Sequence, residues 1–277
     1  NGFYWLDSDK STKNVFYTIP SGYEPAGTNN VTPGFWAAFR IDKDVCEQHD
    51  FELVRVDNDR HIVLAAADFH LAGRSSTKDL QQFNDGFMVD VNKFVSENKG
   101  TCIYTLVLGD ITWDRFWYSN DYDLFSYKNT VLSYPTPMFH VMGNHDNDCY
   151  IPEDFGAEAA YRNALGPTYY SMNLGKVHYV MLDNTVFINE GGKQGTMGDR
   201  NYQKHLTANQ LNWLKEDLAA VSKNTPVVVG FHCQTHRNDN STFTNNNSFS
   251  PASKRDEFMQ CFSGFSNVHF LSGHTHL

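Results

Sequence analysis

The chain has 277 residues and a formal net charge of −10, so it is long enough to bury a complete α/β core beside a small second domain. The acidic balance and the lack of any block of basic residues argue against a nucleic acid as its main partner. No apolar run reaches the roughly 20 residues that a membrane-spanning helix needs, so we expect no transmembrane segment.

Residues 1–58 predict a small, partial β-sandwich-like domain. Short aromatic and β-branched stretches such as KNVFYTIP and PGFWAAFRI alternate with Pro and Gly, a pattern of short strands joined by frequent turns. We expect this region to be structural, and the VDNDR segment at 56–60 to join it to a second domain over residues 59–277. Because the opening residues read like the middle of a β-domain and Leu277 follows the final motif directly, we expect the sequence to be a fragment, so that the lack of a signal peptide says nothing about export.

From residue 59 onward, apolar runs of strand length alternate with helical patterns. The runs are HIVLAAA, CIYTLVL, MFHVM, PVVVGF and VHFL, and the segment TYYSMNLGKVHYVML predicts a hairpin that turns near residues 173–176. This alternation predicts an α/β domain in which a sheet is covered by helices on both faces.

Four helices are predicted between these strands. An apolar stripe at spacings of three and four covers residues 80–95, and a second helix is expected over residues 120–133. Thr207 and Gln210 form a capping box ahead of the third helix. The Ser-Pro pair at positions 250–251 opens the fourth.

Short polar motifs follow directly after the apolar strands. They are ADFH, LGDI, MGNHD, GFH and SGHTH, and each begins where a strand is predicted to end. Rigid strand ends hold metal ligands well, because the backbone geometry there is fixed. The side chains in these motifs that could bind metal are Asp68, His70, Asp110, Asn144, His232, His274 and His276. They are enough for two adjacent ions that share a carboxylate.

In this order, Asp-x-His, Gly-Asp, Gly-Asn-His-Asp, His and Gly-His-x-His resemble the signature of the calcineurin-like metallophosphoesterase superfamily. The signature runs from Asp68 to His276, about three quarters of the chain. The segments TYYSMNLGKVHYVMLDN, LTANQLNWLKEDLA and PVVVGFH are similar to those of Bacteroides-type secreted members with a small N-terminal β-domain. The resemblance implies a four-layer α/β/β/α sandwich and a periplasmic or extracellular location.

The resemblance also implies a division of the metal ligands between two ions. Asp68, His70 and His276 would bind the first ion, Asn144, His232 and His274 the second, and Asp110 would bridge both. Imidazole and oxygen ligands without thiolate suit Mn, Fe or Zn and do not choose among them. Two divalent cations, two carboxylates and a bridging hydroxide sum to roughly +1, so such a site would attract a phosphate anion.

His145 is expected to act on the substrate instead of a metal. By family analogy it would stabilise the charged transition state or protonate the leaving oxygen, with Asp146 holding its tautomer. Purple acid phosphatases carry an iron-binding tyrosine three residues after the bridging aspartate. Trp113 stands at that position here, and an indole cannot ligate a metal. The sequence therefore resembles a non-purple member.

Two polar loops are predicted near the site, and the cysteines are not expected to bind metal. The glycine-rich loop at residues 189–205 and the asparagine-rich loop at 237–250 follow predicted strands and are expected to rim the site, although plain flexible surface is an equal alternative for the second. The five cysteines show no Cys-x-x-Cys spacing, which argues against a thiolate zinc site.

The sequence thus predicts a two-metal hydrolase that cleaves phosphoester bonds of a small substrate by attack of a metal-bridging hydroxide. Phosphodiesters are slightly favoured over phosphomonoesters. The alternative is a non-catalytic docking module that keeps the fold; it should show gaps in the ligand set or loss of His145, and neither is seen. A nuclease should show a basic groove, which the acidic composition does not favour.

Overall fold

The computed structural model describes residues 6, 12–26, 29–38, 48, 50–188, 201–236 and 248–276. Its strands are β1 (Asn14–Phe16), β2 (Tyr23–Pro25), β3 (Trp36–Ala38), β4 (Leu53–Arg55), β5 (His61–Ala66), β6 (Cys102–Leu108), β7 (Met138–Val141), β8 (Tyr170–Leu174), β9 (Val177–Met181), β10 (Thr185–Phe187), β11 (Tyr202–Lys204), β12 (Val227–Gly230) and β13 (Val268–Leu271).

The described helices are α1 (Asp79–Gln82), α2 (Met88–Glu97), α3 (Leu124–Thr130), α4 (Asp154–Ala157), α5 (Ala159–Ala164), α6 (Ala208–Ala219) and α7 (Ala252–Gln260). A π-helical turn over Phe83–Phe87 connects α1 to α2, so the predicted stripe at residues 80–95 forms one nearly continuous helical segment. Among the described residues, no helix is long and apolar enough to cross a bilayer.

Two larger sheets form the centre of the molecule. One contains β5, β6 and β7 in that order, all parallel, and the other has the order β13-β12-β9-β8. Strand β9 lies parallel to β12 but pairs antiparallel with β8, which confirms the predicted hairpin. All the parallel strands within one sheet end at the same edge, and the polar motifs follow those ends.

Three apolar cores separate four layers. The first core packs β6 and β7 against helices α2, α3 and α5, with Val107, Met88 and Tyr127 among its buried members. The second lies between the two sheets and joins side chains of β6 and β7 to those of β8 and β9. The third packs the other face of the second sheet on α6 and α7. The order is therefore helices, sheet, sheet, helices, and the predicted α/β/β/α sandwich is confirmed.

The N-terminal region forms short antiparallel pairs, β1 with β3 and β2 with β4, as its turn-rich sequence predicted. Ile19 and Phe35 from this region are buried in the core between the two large sheets. Ile19 also makes a parallel bridge with Met172 of β8. The β-rich segment thus packs directly on the larger domain, while the boundary at residue 58 stays a prediction.

Two local predictions need correction. Helix α3 covers Leu124–Thr130, less than the predicted 120–133, because the side chain of Asp123 accepts a hydrogen bond from the backbone of Ser126 and so caps the helix there. Thr207 does accept a hydrogen bond from the Gln210 backbone, but the Gln210 side chain does not complete the capping box. It binds the backbone N–H and carbonyl of Asp183 instead. Most of the loops at 189–205 and 237–250 lies outside the described residues.

Candidate metal centre

All seven candidate ligands follow the ends of core strands. Asp68 and His70 come after β5, Asp110 after β6, Asn144 after β7, His232 after β12, and His274 and His276 after β13. The two large sheets therefore bring their carboxyl-terminal edges to one place. His70 and His276 are 206 residues apart in the sequence, yet their Nε2 atoms lie 3.1 Å from each other.

The backbone at these positions is unusual. Five of the candidate ligands have φ angles between 47° and 73°, a region that residues other than glycine seldom adopt: Asp68, His70, Asp110, His274 and His276. Backbone hydrogen bonds maintain the conformation, since the N–H of Asp68 donates to Gly109 and that of His70 to Asp110. Strained positive φ values held by the surrounding structure are typical of functional sites.

Glycines in the motifs permit the close approach of the loops. A Cβ on Gly109 would lie 2.6 Å from Nδ1 of His232, and one on Gly143 would overlap the backbone of Asp110. The Gly that precedes Asp110 and the Gly that precedes Asn144 are therefore needed so that the loops after β6, β7 and β12 can meet.

The side chains form two groups of potential ligands that share Asp110. Asp68, His70, Asp110 and His276 make up the first, and Asp110, His232 and His274 the second; within each, one ligand atom per residue lies within 4.8 Å of the others. In the first group, His276 Nε2 lies 3.2 Å from Asp68 Oδ1 and His70 Nε2 lies 3.6 Å from Asp110 Oδ2. In the second, His232 Nε2 lies 3.1 Å from the same Asp110 Oδ2.

Neighbouring backbone groups orient several of these ligands. Nδ1 of His232 lies 2.8 Å from the carbonyl oxygen of Leu108 and donates to it, which leaves Nε2 facing Asp110. The N–H of His274 donates to both carboxylate oxygens of Asp68, at 3.1 and 3.0 Å. The N–H of His145 donates to Asp110 Oδ1 at 2.8 Å, so that the other oxygen of Asp110 remains directed at the histidines.

Protonation states agree with metal binding. Burial lowers the pKa of His70 to about 4 and that of His274 to about 3, so both rings are neutral at pH 7 and can offer a lone pair. Burial alone would lower the pKa of His232, but the charge of Asp110 and their hydrogen bond raise it to about 9. Burial favours protonation of Asp110, yet His232 holds its pKa below the usual range. A cation bound at Asp110 would replace the proton of His232.

Asn144 gives an independent test of whether the residues fit a metal. Its Oδ1 is buried and has no hydrogen-bond partner among the described residues. A buried amide oxygen without a partner costs free energy, and a cation beside the second ligand group would satisfy it. Imidazole nitrogens, carboxylates and one amide form a donor set that suits Mn, Fe or Zn, so the residues present fit metal ions.

His145 lies beside these ligands, and Asp114 holds its ring. The distance from His145 Nδ1 to Asp114 Oδ1 is 2.9 Å, and Asp114 is fully buried. The His145 ring lies 4.9 Å from the ring of His70 and 5.7 Å from that of Trp113. The assignment of Asp146 as the residue that holds the His145 tautomer is corrected here, because Asp114 occupies that position.

Asp146 organises the backbone instead. Its buried carboxylate accepts hydrogen bonds from the N–H groups of Ile111, Thr112 and Gly143, at 3.2, 3.0 and 2.9 Å. These residues lie next to Asp110 and Asn144 in the chain. Burial, with a contribution from Asp110, raises the pKa of Asp146 to about 7. Asp146 thus connects the loops that carry two of the candidate ligands, and it does not contact His145 as the sequence predicted.

Five of the seven candidate ligands line an open cavity of about 480 Å³: His70, Asp110, Asn144, His274 and His276. Besides the candidate ligands and His145, its walls include three residues that the sequence analysis did not assign to substrate binding: Arg74, Trp113 and Tyr202. The Tyr202 ring lies 6.2 Å from that of His274. Arg74 could have been suspected, because it follows the first motif by four residues, but nothing in the local sequence showed that it would reach this cavity.

A second group of acidic side chains lies near the end of β9, apart from the candidate ligands. Burial raises the pKa of Glu158 from its ordinary value of 4.5 to about 9, and the nearby carboxylates of Asp183 and Asp154 add to the rise. Arg162 forms an ion pair with Glu158 and acts in the opposite direction. Folding therefore favours the protonated form of Glu158, and Arg162 only partly opposes that effect.

The family of the chain is shown by its sequence. Residues 61–277 match the profile of the calcineurin-like phosphoesterase family, and the chain belongs to that family. None of the curated proteins matches the sequence. Among solved structures, the fold is similar to that of a phosphopantetheinyl hydrolase from Mycobacterium tuberculosis, with 12% identity and a TM-score of 0.44 over 79% of this chain and 84% of the other.

Proposed function

We propose that this protein is a two-metal phosphoesterase that hydrolyses a small phosphoester. The observation that carries the proposal is that the two groups of ligands share one carboxylate, Asp110. Asp68, His70 and His276 would complete the first site, and Asn144, His232 and His274 the second. Bound as a pair, two such ions supply Lewis acidity at the phosphoryl oxygens and a hydroxide nucleophile at neutral pH.

His145 is the residue that we assign to the substrate. Its Nδ1 is occupied by Asp114 at 2.9 Å, so Nε2 is the nitrogen that can serve the leaving oxygen. The buried carboxylate of Asp114 accepts the hydrogen bond from Nδ1–H and fixes the orientation of the ring. In that arrangement His145 donates a proton from Nε2 to the departing alkoxide as the phosphorus–oxygen bond breaks.

We favour phosphodiesters slightly over phosphomonoesters. A diester carries organic groups on both sides of phosphorus, and the cavity of about 480 Å³ has aromatic walls at Trp113 and Tyr202 that can pack against such groups.

Because the sequence is similar to secreted members of the family, we also propose a periplasmic or extracellular location, which fractionation of the native host would test.

The proposal is tested by hydrolysis assays with the metal-loaded and the chelator-treated chain. The substrates are bis(p-nitrophenyl) phosphate, p-nitrophenyl phosphate and a panel of nucleotides, with Mn, Fe and Zn each supplied in turn. We expect metal-dependent turnover, lost in Asp110→Asn. A metal-loaded chain that binds phosphoesters without cleaving any of them would support the docking module instead.

A further inference from the structure

Arg74 places a positively charged guanidinium at the wall of the cavity, and contacts outside the candidate metal centre fix its position. The guanidinium of Arg74 lies over the Trp113 ring, 4.8 Å from its centroid, and 5.9 Å from the Phe116 ring. Its Nε donates to Asp79 Oδ2 at 3.3 Å. Arginine stacks well on aromatic faces because its planar cation is weakly hydrated, so the side chain is held at the cavity wall before any substrate arrives.

The loop that carries Arg74 is also held independently of the guanidinium. The carboxylate of Asp79 accepts hydrogen bonds from the backbone N–H groups of Ala72 and Arg74, both at 2.8 Å. The Asn120 side chain donates to the Ala72 carbonyl at 2.8 Å. A substitution of the Arg74 side chain therefore leaves the main contacts of its loop in place.

Structural pairing does not use all the donors of Arg74. Asp79 takes the Nε edge, and Nη2 makes a 3.4 Å contact with the carbonyl of His70. Within the described part of the chain, the Nη1 group makes no hydrogen bond, and Arg74 lines the cavity. A guanidinium anchored at one edge and free at another is suited to binding an anion through the free edge.

The Trp113 ring connects Arg74 to the candidate metal centre. The centroid of that ring lies 5.5 Å from the His70 ring, 5.7 Å from the His145 ring and 4.8 Å from the guanidinium of Arg74. The indole thus contacts the rings of His70 and His145 as well as the guanidinium of Arg74. We place the guanidinium beside the group next to the scissile phosphorus, because Trp113 and Asp79 hold it at the cavity wall and it belongs to neither group of candidate ligands.

We propose that Arg74, stacked on Trp113, forms a subsite for a second phosphate, so that the substrate is a phosphoester whose organic arm carries another phosphate group. The inference rests on the proposed function, since it names the substrate class of the same site. Among the residues that line the cavity in the described part of the chain, Arg74 carries the one permanent positive charge. In a chain with net charge −10, such a cation beside the metal centre favours a multiply anionic ligand.

The test compares two substrates that differ by one phosphate. They are thymidine 5′-(p-nitrophenyl phosphate) and the same diester with a 3′-phosphate, and the measured quantity is the ratio of their kcat/KM values. We expect the metal-loaded chain to prefer the second by about 10–100-fold, the range of a charge-assisted contact. Arg74→Gln should bring the ratio close to one. Arg74→Lys should give an intermediate ratio, because lysine keeps the positive charge but lacks the planar pair of N–H donors that a guanidinium offers to a phosphate.

Arg115→Gln is the matched control. Arg115 is an exposed arginine 6.0 Å from the Phe116 ring, which Arg74 also approaches, but Arg115 does not line the cavity. It should keep the ratio of the unmodified chain. An unchanged ratio in Arg74→Gln, no preference in the unmodified chain, or an equal loss on both substrates would each overturn the subsite; the last result would place Arg74 on the scissile phosphate.

A binding measurement separates this inference from the proposed function. If neither diester is cleaved, calorimetry of the metal-loaded chain with thymidine 5′-monophosphate and thymidine 3′,5′-bisphosphate still decides. Tighter binding of the bisphosphate that is lost in Arg74→Gln supports the subsite even where turnover fails. Equal affinities for the two nucleotides overturn it.

Discussion

The pair formed by Asp114 and His145 gives the sharpest mutational prediction. Asp114→Asn removes a buried charged acceptor that lies 2.9 Å from His145 Nδ1. A hydrogen bond to a charged group contributes about 1.5–3 kcal/mol. If His145 transfers its Nε2 proton only in the ring orientation that this hydrogen bond fixes, the loss corresponds to about 10–150-fold in kcat. The metal content should stay unchanged, because Asp114 is not in either ligand group.

The assay is steady-state hydrolysis of two diesters, one with a nitrophenol and one with an alkyl leaving group. The loss in Asp114→Asn should be smaller for nitrophenol, since that group leaves without protonation. His145→Ala should cost about 10²–10⁴-fold with the metals retained. Adding Asp114→Asn to His145→Ala should cause no further loss, because the aspartate acts through the histidine.

Asp148→Asn is the control for this series. Asp148 lies on the same loop as His145, and its carboxylate accepts a hydrogen bond from the Tyr118 hydroxyl at 2.6 Å. Its substitution should leave kcat unchanged. The reasoning would be refuted if Asp114→Asn kept the kcat of the unmodified chain, or if the two substitutions at Asp114 and His145 combined additively.

The remaining predictions concern the metals and the dependence of stability on pH. In Asp110→Asn both metal sites should be only partly occupied, whereas His70→Ala should weaken metal binding mainly at the first site. Elemental analysis measures the metal content of each variant. Two ions retained in Asp110→Asn would contradict the bridging role. The iron-loaded, oxidised chain should lack an intense visible phenolate band, because Trp113 cannot ligate iron; a strong purple absorption would show that a tyrosine binds the metal. Folding raises the pKa of Glu158 from 4.5 to about 9, so the folded chain keeps a proton that the unfolded chain releases, and stability should fall as pH rises between those values. Thermal unfolding from pH 5 to 9 should therefore show a shallower decline in Glu158→Gln, and parallel declines would refute the assignment.

Much of the candidate metal centre could be predicted from sequence because its residues follow strand ends. Parallel strands deliver their carboxyl-terminal residues to one edge, so a motif after each strand implies convergence. The order of the motifs then gave the family and its sandwich fold. Asp68, Asp110 and His232 lie where that reasoning placed them. Such inferences need only the direction and pairing of strands, which the apolar pattern reveals.

The errors came from contacts that depend on where a side chain points after a turn. Asp146 follows His145 directly, yet it faces the backbone of the loops, and the partner of His145 is Asp114, 31 residues earlier. Gln210 has the spacing of a capping residue but binds Asp183, 27 residues away. In both cases a tertiary partner displaced the local one, and the sequence around the residue carries no signal of that choice.

Arg74 was missed for a related reason. Its function depends on the indole of Trp113, which lies on the loop after another strand and offers a face only once the first sheet is assembled. In the sequence, Arg74 is an ordinary polar residue between a strand and a helix. Cation–aromatic pairs across separate loops have no fixed spacing, so sequence patterns do not reveal them.

The stoichiometry of metal at which activity appears tests the central claim most directly. The metal-free chain is titrated with Mn²⁺ while bound metal and hydrolysis of bis(p-nitrophenyl) phosphate are measured in the same samples. The shared position of Asp110 between two ligand groups predicts two ions per chain, with turnover that rises as the second ion binds. Full turnover with a single bound ion, or turnover without metal, would contradict the two-metal account.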